Sequence, residues 1–195
     1  MKHVGILSVQ GAFAEQARAF RAAGAATFEI REQADLARPM DALVLPGGES
    51  TVQGRLLRTL GLFEPLRIRI RDGLPVFATC AGLILLAERL ADDPTVWFAL
   101  LPVTVRRNAY GRQLGSFQTT GLYGATDADV PMTFIRAPGI ESVGADVTVV
   151  STFHGHPTGV RWRNITALAW HPELTADRRV FRRFLDIPDC SICAI

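Results

Sequence analysis

The chain has 195 residues, of which 48% are hydrophobic and 21% charged, and a formal net charge of +2. This is the balance of a globular chain long enough for one substantial core. No apolar run approaches the roughly 20 residues that span a membrane, and a charge so near neutral offers none of the dense basic surface a nucleic-acid binder needs.

In chain order, Val4 to Val9 reads as a buried strand and Gln10-Gly11 turns the chain. Ala12 to Ala23 sets Phe13, Ala17 and Phe20 at a helical period, and Gly24 stops that helix. Thr27 to Ile30 is a short strand; Ala42 to Leu45 is another, ended by Pro46-Gly47-Gly48. Ser50 or Thr51 can cap a helix running to Leu60. A further helix spans Pro65 to Arg71, and Pro75 to Ala78 is a strand that ends at Thr79-Cys80. Ala81 to Glu88 reads as a helix apolar almost all round, which places it inside the protein.

Strand and helix alternate through this first half, the pattern of a parallel sheet with helices on both faces. In the second half Leu100 to Val105, Met132 to Ile135, Val147 to Thr152 and Thr166 to Trp170 are strand-like and joined by turns. Some of these are expected to be antiparallel additions at one edge. A last helix, Ala176 to Leu185, follows the cap-like Thr175. With no linker, repeat or low-complexity run, one domain is expected over residues 1–187, with a tail over 188–195.

Twenty of the 21 basic residues are arginine. The clusters Arg67/Arg69/Arg71, Arg106/Arg107 and Arg178/Arg179/Arg182/Arg183 are interleaved with acids and apolar residues and read as solvated helix faces. Met1-Lys2-His3 runs straight into the first strand, which is too short for the apolar core of a secretory signal. Cys80, Cys190 and Cys193 are an odd count that argues for a reducing compartment, hence the cytoplasm.

Ligands of an open parallel sheet sit outside the carboxyl ends of the strands. Two glycine-bearing polar segments fall there, Pro46-Gly47-Gly48-Glu49-Ser50 and Ala78-Thr79-Cys80-Ala81-Gly82. The second has the form of a nucleophile elbow, a reactive residue in a sharp strand-to-helix turn with a small residue two positions to either side. A thiol at a helix N-terminus is favoured as thiolate, and the Ala81 N–H beside it can serve an oxyanion. A buried structural cysteine is the plainer reading, but it needs no such turn.

A thiolate nucleophile needs a base. His3 precedes the first strand, at the wrong end of the sheet. His154 and His156 share a loop but lack a third ligand of suitable spacing, so no metal site is expected. His171 follows an apolar strand, and Pro172 keeps it extended. Two residues on, Glu173 then points the same way and can orient the imidazole, completing a Cys-His-acid set.

With these residues the chain resembles the class I glutamine amidotransferases, and within them the family of glutaminase subunits of pyridoxal 5'-phosphate synthase. The elbow and the His-x-Glu are shared by many amidotransferases. More specific are Leu45-Pro46-Gly47-Gly48-Glu49-Ser50-Thr51, Arg107-Asn108-Ala109-Tyr110-Gly111-Arg112-Gln113 and Phe134-Ile135-Arg136-Ala137-Pro138. The resemblance implies a three-layer, flavodoxin-like α/β fold with antiparallel edge additions. It implies Cys80 as nucleophile, His171 as proton shuttle and Glu173 as its orienting acid. Gly48 and Ala81 would supply the oxyanion hole, and Gly48, Glu49, Ser50, Arg107, Ile135 and Arg136 would hold L-glutamine. It further implies no cofactor, and ammonia passed through a channel to a (β/α)₈-barrel synthase subunit in a large hetero-oligomer, with Gln10 facing that partner.

The sequence departs from the family pattern at Ala78, where glycine is usual, at Gln118, in the stretch Gly155 to Asn164 and in the tail with Cys190 and Cys193. Three other functions compete: a glutaminase of another synthase such as that of imidazole glycerol phosphate, a non-catalytic regulatory subunit on the same scaffold, and a thiol redox sensor.

Overall fold

A computed structural model of the chain describes residues 1–91, 93–110, 116–124 and 129–186. The first half runs β1 (His3–Leu7), α1 (Phe13–Ala22), β2 (Ala26–Ile30), β3 (Ala42–Leu45), α2 (Ser50–Thr59), α3 (Phe63–Arg71), β4 (Val76–Thr79) and α4 (Ala81–Leu86). The second half runs β5 (Ala87–Leu90), β6 (Leu101–Arg106), β7 (Ser116–Tyr123), β8 (Asp129–Ile135), β9 (Gly139–Val143), β10 (Thr148–Phe153), β11 (His156–Trp162), β12 (Ile165–Leu168) and α5 (Arg179–Leu185).

The main sheet has the order β2-β1-β3-β4-β12-β11-β10-β7-β8. Its first five strands are parallel, and β11, β10, β7 and β8 continue it antiparallel. The parallel part therefore has the 2-1-3-4-5 order of flavodoxin-like sheets, as the expected α/β class requires. Side chains alternate between its faces. Val4, Ile6, Val44 and Phe77 pack with Phe20 of α1 and with Phe181 and Phe184 of α5. Leu7, Leu43, Leu45 and Val76 pack on the other face with Leu57 of α2, Leu66 of α3 and Leu83 of α4. Each large side chain removed from water in this way contributes about 1.5–3 kcal/mol.

Some of the second-half strands extend the sheet antiparallel at its edge, as expected, while β5, β6 and β9 form a separate three-stranded sheet. Other expectations are corrected. The helix expected to reach Glu88 stops at Leu86, since Ala87 to Leu90 pairs with Leu101 to Val105 and that ladder prevails over helical propensity. Ser50 is the first residue of α2 rather than its cap, and no side chain caps that helix. The last helix begins at Arg179, not Ala176. Thr175 gives its hydroxyl hydrogen to the Pro172 carbonyl, while Asp177 accepts the Arg179 N–H at 2.8 Å. Strands β5, β7, β9 and β11 were not anticipated. The stretch 155–164, a poor family match, is mostly β11, paired with β10 and β12.

Ala78 lies within β4 and not at a positive φ, so replacing glycine there carries no backbone penalty. Gln118 is an exposed residue of β7. The arginine clusters are not simply solvated. Arg67 reaches the Phe98 carbonyl, Arg69 that of Leu36, Arg178 that of Thr175 and Arg179 that of Asp129. Residues 111–113 of the arginine–glutamine motif, and Cys190 and Cys193, lie outside the described residues. Among the described residues no helix is long and apolar enough to cross a membrane.

Candidate active site

The parallel strands deliver four segments to one end of the sheet: residues 8–12 after β1, 46–49 after β3, Cys80 after β4 and 169–173 after β12. In this strand order the connections leaving β1 and β3 diverge, opening a crevice between them. A cavity of about 390 Å³ lies there. Its floor carries Cys80 and His171, and Gln10, Gly48, Glu49 and Ser50 form one side. Arg107, Ile135 and Arg136 reach it from the second half. All the residues expected at the site line this cavity except two. Ala81 opens α4 directly behind Cys80 with its side chain buried, and Glu173 lies behind His171.

Cys80 occupies a backbone conformation rare for any residue with a Cβ, φ 46° and ψ −100°. Such a geometry costs about 1–3 kcal/mol and persists only where its surroundings enforce it. Here the Cys80 N–H is held by the Leu168 carbonyl at 2.8 Å. Gly82, two residues on, touches β3: a Cβ there would stand 2.2 Å from the Leu45 carbonyl oxygen. Of the two small residues flanking the elbow, Gly82 is therefore the one the geometry demands.

His171 is 6% exposed and Glu173 likewise. The His171 backbone N–H donates to the Thr133 carbonyl at 2.8 Å, fixing the segment from the antiparallel side. Its Nδ1 donates to Glu173 Oε1 at 2.7 Å, and the ring also hydrogen-bonds the Cys80 side chain. The expected route to this contact is corrected. His171 is extended, at φ −111° and ψ 87°, but Glu173 lies in a short 3₁₀ turn, Pro172–Leu174, and reaches Nδ1 from there.

Burial pulls the His171 pKa down, but the hydrogen bonds to Cys80 and Glu173 and the negative charge of both outweigh it, and the group is pushed up to about 10. The folded pKa lies above the unfolded value of about 6.5. The arrangement therefore stabilises the fold fully below about pH 6.5, and that contribution is lost as pH rises through about 10. Carbon-13 labelling of the histidines should show one ring titrating well above pH 8, and Glu173→Gln should move that midpoint down. A His171 midpoint near 6.5 in the unaltered chain would contradict this electrostatic picture.

Arg107 donates to Asp93 Oδ2 at 2.7 Å. Arg136 stands 3.4 Å from Glu49 Oε1, with both side chains more than half exposed. Arg136 and Asn108 both have positive φ, 42° and 50°, and the Ala109 N–H donates to the Ala137 carbonyl at 3.0 Å, so the two loops that carry these residues are tied together. Gln10 accepts the Glu49 N–H at 2.9 Å through Oε1.

Asn108, Ile84 and Gly47 also belong to the site and were not singled out as site residues from the sequence. Gly47 packs flat against the imidazole, where a Cβ would stand 2.3 Å from His171 Cε1. Its place in the Gly47-Gly48 pair was the available signal. His154 and His156 are exposed and do not line the cavity, and His3 pairs with Asp41 at 3.6 Å.

The model of the SNO glutamine amidotransferase family matches residues 6–188. A Desulfitobacterium hafniense protein named pyridoxal 5'-phosphate synthase subunit PdxT is 56% identical over 183 residues, covering 94% of this chain and 92% of that one. A Bifidobacterium longum protein of the same name is 51% identical, covering 94% and 99%. A crystal structure described as a glutamine amidotransferase superposes with a TM-score of 0.88 at 37% identity, covering 93% of this chain and 96% of that one. The structure of PurLQS from Thermotoga maritima, at 16% identity and a TM-score of 0.67, shares the fold. With the family model spanning nearly its whole length, the chain belongs to the SNO glutamine amidotransferase family.

Proposed function

We propose that this chain is the glutaminase subunit of pyridoxal 5'-phosphate synthase, hydrolysing L-glutamine to L-glutamate and ammonia in the cytoplasm and passing the ammonia to a synthase subunit. A single domain over residues 1–187 carries the activity. The observation that carries this reading is the hydrogen-bonded series Cys80–His171–Glu173 at a cavity that Glu49, Arg107 and Arg136 also line.

The chemistry follows from those positions. Cys80 Sγ attacks the side-chain amide carbon of glutamine. The oxyanion that forms accepts from the Gly48 and Ala81 N–H groups. His171 gives its proton to the amide nitrogen, the C–N bond breaks, and ammonia leaves a thioester on Cys80. Neutral His171 then takes a proton from water as that water attacks the thioester. The second tetrahedral intermediate collapses with cleavage of the C–S bond, Cys80 returns to thiolate, the new carboxyl loses its proton to solvent as glutamate leaves, and the other proton of the water stays on His171. Glu173 holds the ring and offsets its charge throughout.

The amino-acid end of glutamine is a zwitterion, and the cavity mouth has both opposite charges. Arg136 exchanges Glu49 for the α-carboxylate, Glu49 takes the α-ammonium, and Arg107, Ser50 and Ile135 complete the cradle. Arg136→Ala should raise KM for glutamine by roughly 10- to 100-fold, the value of one charge-assisted hydrogen bond, with a smaller change in kcat.

Free ammonia would be lost as unreactive ammonium, so the product needs an enclosed route to a (β/α)₈-barrel partner in a larger hetero-oligomer. Gln10, bonded to the Glu49 N–H, faces that partner. The test is to mix the purified chain with the synthase subunit and follow pyridoxal 5'-phosphate formation with glutamine as sole nitrogen donor. No cofactor formation, with ammonium salts still effective, would reject the pairing. Glutamate release supported only by the imidazole glycerol phosphate synthase would favour that alternative, and no glutamate release under any condition a regulatory subunit.

A further inference from the structure

Behind the catalytic loop lies a buried polar clamp that the reaction scheme leaves unused. Thr79, the last residue of β4 and the immediate neighbour of Cys80, is fully buried. Its Oγ1 accepts the Gly47 N–H at 3.0 Å and Gln16 Nε2 at 3.0 Å. Gln16 belongs to α1 and is itself 0% exposed, beside Ala17, Ala19 and Phe20.

Two physical points make this more than packing. The β3–β4 ladder ends at the Leu45–Ala78 pair, so beyond it Gly47 has no strand partner, and the Thr79 hydroxyl takes the place of the missing backbone acceptor. Burying a primary amide on an otherwise apolar helix face is costly unless it is bonded; the Gln16 amide N–H goes to the hydroxyl that holds Gly47, while its Oε1 has no hydrogen-bond partner among the described residues. Valine would suit a strand end equally well in shape and β-propensity. It is the oxyanion loop that requires a hydroxyl.

We infer that Thr79 and Gln16 are positioning residues for glutamine hydrolysis: together they fix Gly47, and through it the Gly48 N–H and the wall against the His171 ring, at the distance from Cys80 that the tetrahedral intermediate needs. The inference rests on the glutaminase reading above. It assigns the pair an effect on the chemical step and not on glutamine binding, because neither side chain lines the cavity.

The test uses the full chain with its synthase subunit. Thr79→Val should lower kcat by on the order of 100-fold, the effect of misplacing a catalytic group by about an ångström, with KM for glutamine within about twofold. Thr79→Ser, which keeps the hydroxyl, should restore most of kcat. Gln16→Met should fall between the two, and it carries the test if Thr79→Val does not fold. Alkylation of Cys80 by iodoacetamide, which needs no oxyanion hole, should proceed at the unaltered rate. Amide exchange at Gly47 should accelerate in Thr79→Val, and this reads the clamp independently of turnover. Unchanged kcat in a folded Thr79→Val or Gln16→Met chain overturns the inference. So does unchanged Gly47 exchange, an alkylation rate that falls in step with kcat, or a serine variant no better than valine. An unaltered chain inactive on glutamine ends the glutaminase reading instead, and the role of the clamp with it.

Discussion

Cys80→Ala is expected to abolish glutamate release, with a loss on the order of 10⁶-fold in kcat, while the chain stays folded and still binds glutamine. The magnitude is that of removing a nucleophile for which nothing else in the site can substitute. Among the described residues Cys80 is the only cysteine, and Ser50, the hydroxyl in the same cavity, is not hydrogen-bonded to His171. The fold should tolerate the change. Alanine keeps the Cβ, so the positive-φ turn is neither relieved nor made worse, and the Leu168 carbonyl still accepts the backbone N–H of residue 80. What the variant loses beside the sulfur is one of the two groups that hold the proton on His171, so its imidazole should titrate lower than in the unaltered chain. Cys80→Ser should be nearly as inactive, because a hydroxyl beside the same imidazole is a far poorer nucleophile than a thiolate. Steady-state assays with glutamine, paired with isothermal titration of glutamine into Cys80→Ala, check both halves. Residual turnover above about one part in a thousand would mean that the acyl group is carried elsewhere.

Gly47→Ala should cost about 100-fold in kcat without removing any group that takes part in bonding changes. Gly47 has no positive φ, so alanine is compatible with its backbone. The obstacle is purely steric. The added Cβ would lie 2.3 Å from His171 Cε1 and 2.9 Å from Nδ1, well inside contact distance. The ring cannot simply retreat, because Glu173 holds Nδ1 at 2.7 Å and the Thr133 carbonyl holds the backbone. Either the imidazole or the Pro46–Gly48 loop must shift by on the order of an ångström, and a displacement of that size is worth about 100-fold in rate. Gly24→Ala is the control. Gly24 has φ 100° and open space around its Cα, so alanine there should cost about 1–2 kcal/mol of stability from the left-handed backbone and leave kcat alone. Thermal melting beside steady-state kinetics separates the two. If Gly47→Ala loses stability but not rate, the ring is not held as tightly as these contacts require.

Much of the site was legible in the chain because its chemistry is local. A cysteine between Ala78 and Gly82 at the end of an apolar strand, and a histidine two residues before a glutamate after another, are patterns that sequence spacing alone reveals. Apolar runs such as Ala42 to Leu45 and Val76 to Ala78 mark central strands, since both of their faces are covered. The missed strands show the limit. Ser116 to Tyr123 alternates exposed and half-buried residues, and His156 to Trp162 contains proline and glycine. Their strand character comes from the strands they pair with, not from their own composition. The same holds for Ala87 to Leu90, which leaves the helix to pair with Leu101 to Val105.

Propensity and spacing act over a few neighbours, so the chain alone reveals the α/β class, the two reactive strand ends and the residue types that meet there. It takes the folded chain to show that Glu173 reaches His171 from a 3₁₀ turn, that Gly47 walls the imidazole, and that Thr79 and Gln16 reach behind the loop to hold it. Gln16 and Thr79 are 63 positions apart and Gly47 and His171 further still, and such pairings exist only after the sheet has set its strand order and brought the segments together.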